Sequence, residues 1–287
     1  MISNKKYVVV STIKNELDNF ENQLVDLENQ TIQPECWVVY VDDTNLRLYQ
    51  NISYKHRIKV YLIKKKPDME RLYYRRLAIN MNHAFNSVKK LGLEASYYLK
   101  LDGDIRILEK DYIEKLFGFL ENNPEYASVS GAIKTIGERD PKRYNDYPLG
   151  AAMLFSQELI EYWNGYPIYP ASDTVLNVTA EVLWKKCKLY EKAYFIQNRP
   201  TSSRVSVSPT VSTAIKHYFL RYPKFLTYLY VLKEDPKNLF KYMDWVKTNK
   251  ERIEPLRIND KDWIKVNIIR LKQKPIARLV MGLFGEK

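Results

Sequence analysis

Tyr97-Tyr98-Leu99-Lys100-Leu101-Asp102-Gly103-Asp104 sets a short strand-forming run directly against two carboxylates. Tyr and Leu in a run of this length suit a buried strand, and acids at its carboxyl end face whatever binds beyond the sheet edge. Two carboxylates there suit a hard divalent cation, Mg²⁺ or Mn²⁺, which takes oxygen ligands and commonly shares them with phosphate groups. The triplet alone says little, because 15 Asp in 287 residues supply an Asp-x-Asp about once by chance. A second copy, Asp260-Lys261-Asp262, has no strand before it and reads as a solvated helix start.

Outward from this stretch, short apolar runs alternate with helix-period segments, which predicts an α/β domain with a mixed, mostly parallel sheet over residues 1–204. Strands are expected at Tyr7 to Ser11, Trp37 to Val41, Ile58 to Ile63, Tyr97 to Leu101 and Ala127 to Ile133. Leu17, Phe20, Leu24 and Leu27 mark one helical face, and further helices are expected from Leu72 to Leu91 and from Tyr112 to Leu120. Residues 137–148 are polar and turn-forming, the composition of an exposed loop of the kind that serves as a lid. Leu149 to Phe155 reads as a strand with Ser156 capping the helix after it. Ser172 is expected to open a helix running to about Lys188, ahead of a short strand at Tyr194-Phe195-Ile196. Residues 205–287 read as a helical extension cut by Pro209, Pro223, Pro236, Pro255 and Pro275. Within 1–204, residues 1–104 and 105–204 are expected to form two halves.

Composition narrows the classes. The chain is 45% hydrophobic and carries a net charge of +12, enough to build a sizeable core and to call for an anionic partner or a solubility role. Only 9 Gly are present, with neither a G-x-x-x-x-G-K-[ST] nor a G-x-G-x-x-G pattern, so phosphates would be held by other means. Cys36 and Cys187 lack partners at zinc-ligand spacing and are expected to be reduced thiols. Without a signal-like or spanning apolar segment, the expected location is the cytoplasm or the cytoplasmic face of the membrane. From residue 205 on, Lys and Arg are interleaved with aromatics, as in Lys216-His217-Tyr218-Phe219-Leu220-Arg221-Tyr222. That pattern fits either an interfacial helix on an anionic membrane or packed helices with snorkelling cations. No motif for reading nucleic acid is present, and no specific nucleic acid is expected.

The polar residues following three expected strands form a coherent set: Ser11-Thr12-Ile13-Lys14-Asn15-Glu16, Asp42-Asp43-Thr44-Asn45 and Asp102-Gly103-Asp104. Neighbouring strand ends of this kind suit one nucleotide. With Leu27-Glu28-Asn29-Gln30-Thr31-Ile32-Gln33-Pro34, Arg76-Leu77-Ala78-Ile79-Asn80 and Gly150-Ala151-Ala152-Met153-Leu154-Phe155 in the same order, the chain resembles the family 2 glycosyltransferases with the GT-A fold over about residues 5–200. The resemblance implies a metal-dependent, inverting transfer of a sugar from a UDP- or GDP-linked donor to a glycan, lipid-linked or protein hydroxyl. It implies that Ser11, Ile13, Glu16, Asp43, Arg76 and Asp102 contact the nucleotide sugar, that Asp104 with Asp102 holds Mn²⁺ or Mg²⁺, and that Asp173 is the general base. Asp146 and Glu181 are lesser candidates for the base. Two departures stand out: Ser172 occupies the place of a first acid beside Asp173, and Gln197-Asn198-Arg199-Pro200 stands where the family often has a metal- or phosphate-holding His. His217 comes too late to match. A nucleotidyl- or other phosphate-linked transferase on a similar scaffold and a basic nucleic-acid-binding protein are the alternatives.

Overall fold

The computed structural model describes residues 6–41, 46–64, 73–135, 147–169, 171–199, 209–221, 224–234 and 236–263. In chain order its elements are β1 (Tyr7–Ile13), α1 (Leu17–Glu28), β2 (Cys36–Val41), α2 (Leu46–Ser53), β3 (Val60–Lys64), α3 (Tyr73–Lys90), β4 (Tyr97–Leu101) and β5 (Ile105–Arg106). These are followed by α4 (Tyr112–Asn122), β6 (Tyr126–Thr135), β7 (Ala152–Ser156), α5 (Glu158–Trp163), α6 (Ser172–Val182) and β8 (Lys186–Gln197). Last come α7 (Pro209–Phe219), α8 (Lys224–Glu234), α9 (Lys237–Ile253) and a short 3-10 turn (Glu254–Leu256). The chain divides into two compact units, one made of residues 1–168 and 184–200, the other of 169–183 and 201–287.

The first unit is built on an eight-stranded sheet in the order β3-β2-β1-β4-β7-β6-β8-β5. The β-branched runs Val8-Val9-Val10 and Val38-Val39 make β1 and β2 central parallel strands, buried on both faces. β4 pairs parallel to β1, whereas β7 runs antiparallel between β4 and β6. One face carries Val9, Ile13, Trp37, Val39, Leu99, Leu101, Val129 and Phe195 against Phe20, Leu24 and Leu27 of α1 and Ile113, Leu116 and Leu120 of α4. Spacing of four and three residues puts each helical set on one side. Each such Leu or Phe side chain contributes about 1.5–3 kcal/mol by leaving water. On the other face Phe85 of α3 packs edge-on to Tyr98 and stacks on Tyr166 at 5.3 Å.

Three sequence expectations are revised. The helix opened at Ser172 ends at Val182, not near Lys188: Trp184 turns the chain with φ 60, and Lys186 begins a 12-residue strand paired in parallel with β6. Pairing with β6 overrides the helical period of that stretch. Ser156 is the last residue of β7, paired with Tyr97, and Gln157 takes the cap position of α5. The cap position of α6 is Ala171, in the left-handed region at φ 71, with Ser172 already helical. Helix α2 and the two-residue β5 were not anticipated. Of the expected lid at 137–148, residues 137–146 lie outside those described.

In the second unit α7, α8 and α9 pack on one another; Pro209 begins α7, Pro236 precedes α9 and Pro255 lies in the 3-10 turn after it, while Pro223 and Pro275 lie outside the described residues. Asn259 caps a helical stretch beginning at Asp260, its Oδ1 accepting from the Asp262 N–H at 2.8 Å, so the second Asp-x-Asp is a helix start. No helix among the described residues is long and apolar enough to cross a membrane.

Candidate active site

Parallel pairing of β2, β1 and β4 brings their carboxyl ends to one edge of the sheet. The chain winds outward from β1 to β2 and β3, then returns to place β4 on the other side of β1. That reversal is a topological switch point, where α/β sheets open a crevice for ligands. Glu16 follows β1 at this edge, and Asp102, Gly103 and Asp104 follow β4.

Helix α1 and the turn after it fix this loop with buried polar residues. Gln23 donates from Nε2 to the carbonyls of Asp102 at 2.7 Å and Ile105 at 2.8 Å. Three residues on, the Asp26 carboxylate holds Arg106 through paired bonds of 2.6 and 2.7 Å and accepts the Ile107 N–H at 3.0 Å. Gln30, a turn further, donates to the Glu109 carbonyl at 2.9 Å and accepts from the Ile113 N–H at 3.2 Å. Buried main-chain groups of an irregular segment need such partners. Gly103 lies against Glu16 so closely that a Cβ there would stand 3.3 Å from Glu16 Cγ.

The carboxylates are not open. Asp102 Oδ1 accepts from Lys100 Nζ at 2.6 Å, and the same buried ammonium donates to the Gly150 carbonyl. Asp104 Oδ2 accepts from Arg199 Nε at 3.3 Å, and Glu16 Oε1 from Arg199 Nη2 at 2.5 Å. Burial opposes the charge on Arg199, but Glu16 and Asp104 outweigh it and raise the guanidinium's pKa above its ordinary value. Glu16 also accepts from Asn19 at 2.6 Å, and its N–H donates to the Tyr49 hydroxyl at 3.1 Å.

The other expected residues fall as follows. Ser11 is fully buried, its hydroxyl accepting from Trp37 Nε1 at 2.8 Å, and Ile13 is buried beneath Gly103. Arg76 sits half-buried in the first turn of α3. Asp43 lies outside the described residues. Asp173 stands in the first turn of α6, in the second unit. His217 packs on Tyr230 within that unit. Sequence reasoning passed over Lys100, Gln23 and Asn19 and marked Arg199 only as part of a departure; a lysine inside an apolar strand and amides on the apolar side of a helix were the available signals.

A protein cation stands on one oxygen of each acid of the motif. No three His, Cys, Asp or Glu side chains group to hold a metal among the described residues.

No family model and no curated protein sequence matches the chain. Solved structures do match. The mannosyltransferase PcManGT from Pyrobaculum calidifontis, in complex with GDP-Man and Mn²⁺, is similar over 98% of this chain and 79% of its own, with a TM-score of 0.58 and 12% identity. S. aureus TarS 1-349 in complex with UDP-GlcNAc is similar over 96% of this chain and 87% of its own, with a TM-score of 0.55 and 13% identity. The chain has the GT-A fold. At these identities the likeness is one of fold, and the activity is argued from the site.

Proposed function

We propose that the protein is a glycosyltransferase that moves a sugar from a UDP- or GDP-linked donor to a hydroxyl acceptor on a glycan, lipid or protein, with inversion. The observation that carries this is the charged cluster of Glu16, Asp102, Asp104, Lys100 and Arg199 at the switch-point crevice of a GT-A sheet. The nucleotide sugars carried by the two structural neighbours support the same donor class. In this reading Glu16, Asp102 and the main chain at Ser11 and Ile13 receive the nucleoside with Asp43, and Arg76 faces phosphate. Asp173 takes the proton of the attacking hydroxyl as the new glycosidic bond forms and the bond to the diphosphate breaks. The N-terminus of α6 favours the ionised carboxylate that a base needs.

Charge left on the departing diphosphate calls for a cation. The Asp-Gly-Asp motif leads one to expect Mn²⁺ or Mg²⁺ on Asp104 and Asp102, where such an ion would stand beside Arg199, already on Asp104 Oδ2. The helical unit supports a further element, contact with an anionic membrane. Phe225, Leu229 and Leu232 of α8, 68%, 46% and 42% exposed, form one outward stripe beside Lys224 and Lys233.

The test is a thermal-shift panel of UDP- and GDP-sugars on the full chain, followed by transfer assays with Asp173→Asn. A donor that binds the folded state raises Tm, and loss of a general base is expected to lower kcat by about 10²–10⁴ with little change in donor binding. Absence of any nucleotide-sugar shift would count against the transferase. Unchanged kcat in Asp173→Asn would remove that residue from the role.

A further inference from the structure

We propose that Arg199 is the resident cation of this site, standing on Asp104 where the Asp-Gly-Asp motif would otherwise seat a divalent ion, and that this guanidinium meets the donor diphosphate. The second half rests on the glycosyltransferase reading; the first does not. Position comes from the backbone. β8 pairs antiparallel with the short β5 through Ile105↔Gln197, which sets Asn198 and Arg199 beside Asp104. The Asn198 N–H donates to the Asp104 carbonyl at 3.0 Å, and its side chain donates to Asn19 at 2.9 Å. Asn19 in turn donates to Glu16, so both acids that Arg199 touches are held by the same network.

The chemistry is specific to arginine. A guanidinium cannot be deprotonated in a protein, so its charge is permanent. It has five N–H donors in a planar fork; one on Nε and one on Nη2 serve Asp104 and Glu16. Its side chain remains 34% exposed, leaving room for the bidentate contact with phosphate that arginine makes well. A divalent ion entering at Asp104 would compete with Arg199 for Oδ2 and share the crevice with a fixed positive charge. Asp102, bonded to Lys100, does not compensate.

Two measurements on the full-length chain decide this. Mn²⁺ titration followed by electron paramagnetic resonance of the free ion, without nucleotide, should show Arg199→Ala binding Mn²⁺ at least about tenfold more tightly than wild type, because Asp104 and Glu16 are released. Adding Asp104→Asn should abolish that gain. Equal or weaker Mn²⁺ binding by Arg199→Ala overturns the proposal. If Arg199→Ala does not fold, Arg199→Lys replaces it: a compact ammonium cannot span both acids as the fork does, so Mn²⁺ binding should still tighten, and no change overturns. Calorimetry with UDP and GDP in EDTA should give wild-type affinity close to that in Mn²⁺ and a loss of about tenfold or more in Arg199→Ala. Wild-type binding abolished by EDTA, or an Arg199→Ala protein that loses stability but keeps nucleotide affinity, overturns the role at the diphosphate. Failure of both nucleotides to bind under any condition sinks the transferase assignment, while the Mn²⁺ comparison still decides what occupies Asp104.

Discussion

Replacing Gln23 by Met tests whether α1 positions the Asp-Gly-Asp loop. Met has nearly the length and volume of Gln but donates nothing, so the apolar packing of α1 is kept while the Ile105 and Asp102 carbonyls lose the Gln23 amide, the Asp102 carbonyl keeping only the longer bond from the Ile105 N–H at 3.3 Å. An unsatisfied buried acceptor costs about 1–3 kcal/mol. The loss is partly offset, because Gln23 Oε1 is itself buried without a hydrogen-bond partner and that penalty disappears with the amide. The net expectation is a destabilisation of about 2 kcal/mol, or about 4–8 °C in Tm for a chain of this size class. Gln23→Glu should be worse than Gln23→Met, since it sets a carboxylate against two carbonyl oxygens. Differential scanning calorimetry of the three proteins at neutral pH reads this directly. If Gln23→Met melts within about 1 °C of wild type, the two hydrogen bonds do not hold the loop and its positioning must come from Asp26 and Gln30 alone.

Removing Asp26 while keeping Arg106, as in Asp26→Ala, should cost about 3–5 kcal/mol, whereas the joint change Asp26→Leu with Arg106→Leu should cost far less; denaturant midpoints compare them. Gly131→Ala should destabilise by about 1–3 kcal/mol or more, because the added Cβ would stand 2.5 Å from Tyr112 Cε2 and 2.6 Å from the Ala193 carbonyl. Burial raises the pKa of Glu28, but hydrogen bonds from the Arg57 and Ile58 amides and from His56 outweigh it and hold the carboxyl below its ordinary range. A depressed acid stabilises above its unfolded pKa of about 4.3, and that contribution fades as pH falls through the lowered folded value. The Tm gap between wild type and Glu28→Gln should therefore be present at pH 7 and shrink below about pH 4; a gap constant with pH refutes it. The double change Phe225→Ser and Leu229→Ser should weaken binding to phosphatidylglycerol-containing vesicles by roughly a hundredfold, at about 1.5 kcal/mol for each inserted side chain. Unchanged sedimentation with vesicles would rule out α8 as the contact.

The strands were legible because their chemistry is local. Val8-Val9-Val10 and Val38-Val39 are β-branched runs that suit a sheet buried on both faces, and no partner needs to be known to see it. Where partner choice decides, the sequence was silent: Lys186 to Tyr190 carries no helix-breaking residue, and only β6 beside it makes it a strand. The polar stripe of α1 and the turn after it was hidden for a related reason. Gln23 and Asp26, set between Phe20, Leu24 and Leu27, and Gln30 after them look like solvent-facing residues, yet each is buried against main-chain groups some eighty residues away. Hydropathy counts a polar residue as exposed unless its partner is known, and those partners lie in a segment with almost no regular structure of its own.

Arg199 is the sharper case, because the position was noticed and its meaning was not. Judged against an expected His, Gln197-Asn198-Arg199-Pro200 registered as an absent ligand. The two-residue pairing of β5 with β8 turns that absence into a contact, since it delivers a permanent cation to Asp104 and Glu16. Lys100 does the same for Asp102 from within the very strand that made the motif conspicuous. Asp102-Gly103-Asp104 therefore specifies where carboxylates stand, not what charge a ligand meets there. Three acids facing two fixed cations leave one negative charge, so what an incoming diphosphate meets depends on how far the Arg199 guanidinium stands from it. Whether this crevice takes up a divalent ion is decided by how firmly Arg199 is held, and the backbone bond from Asn198 to Asp104 together with the Asn19 bridge to Glu16 holds it from both sides.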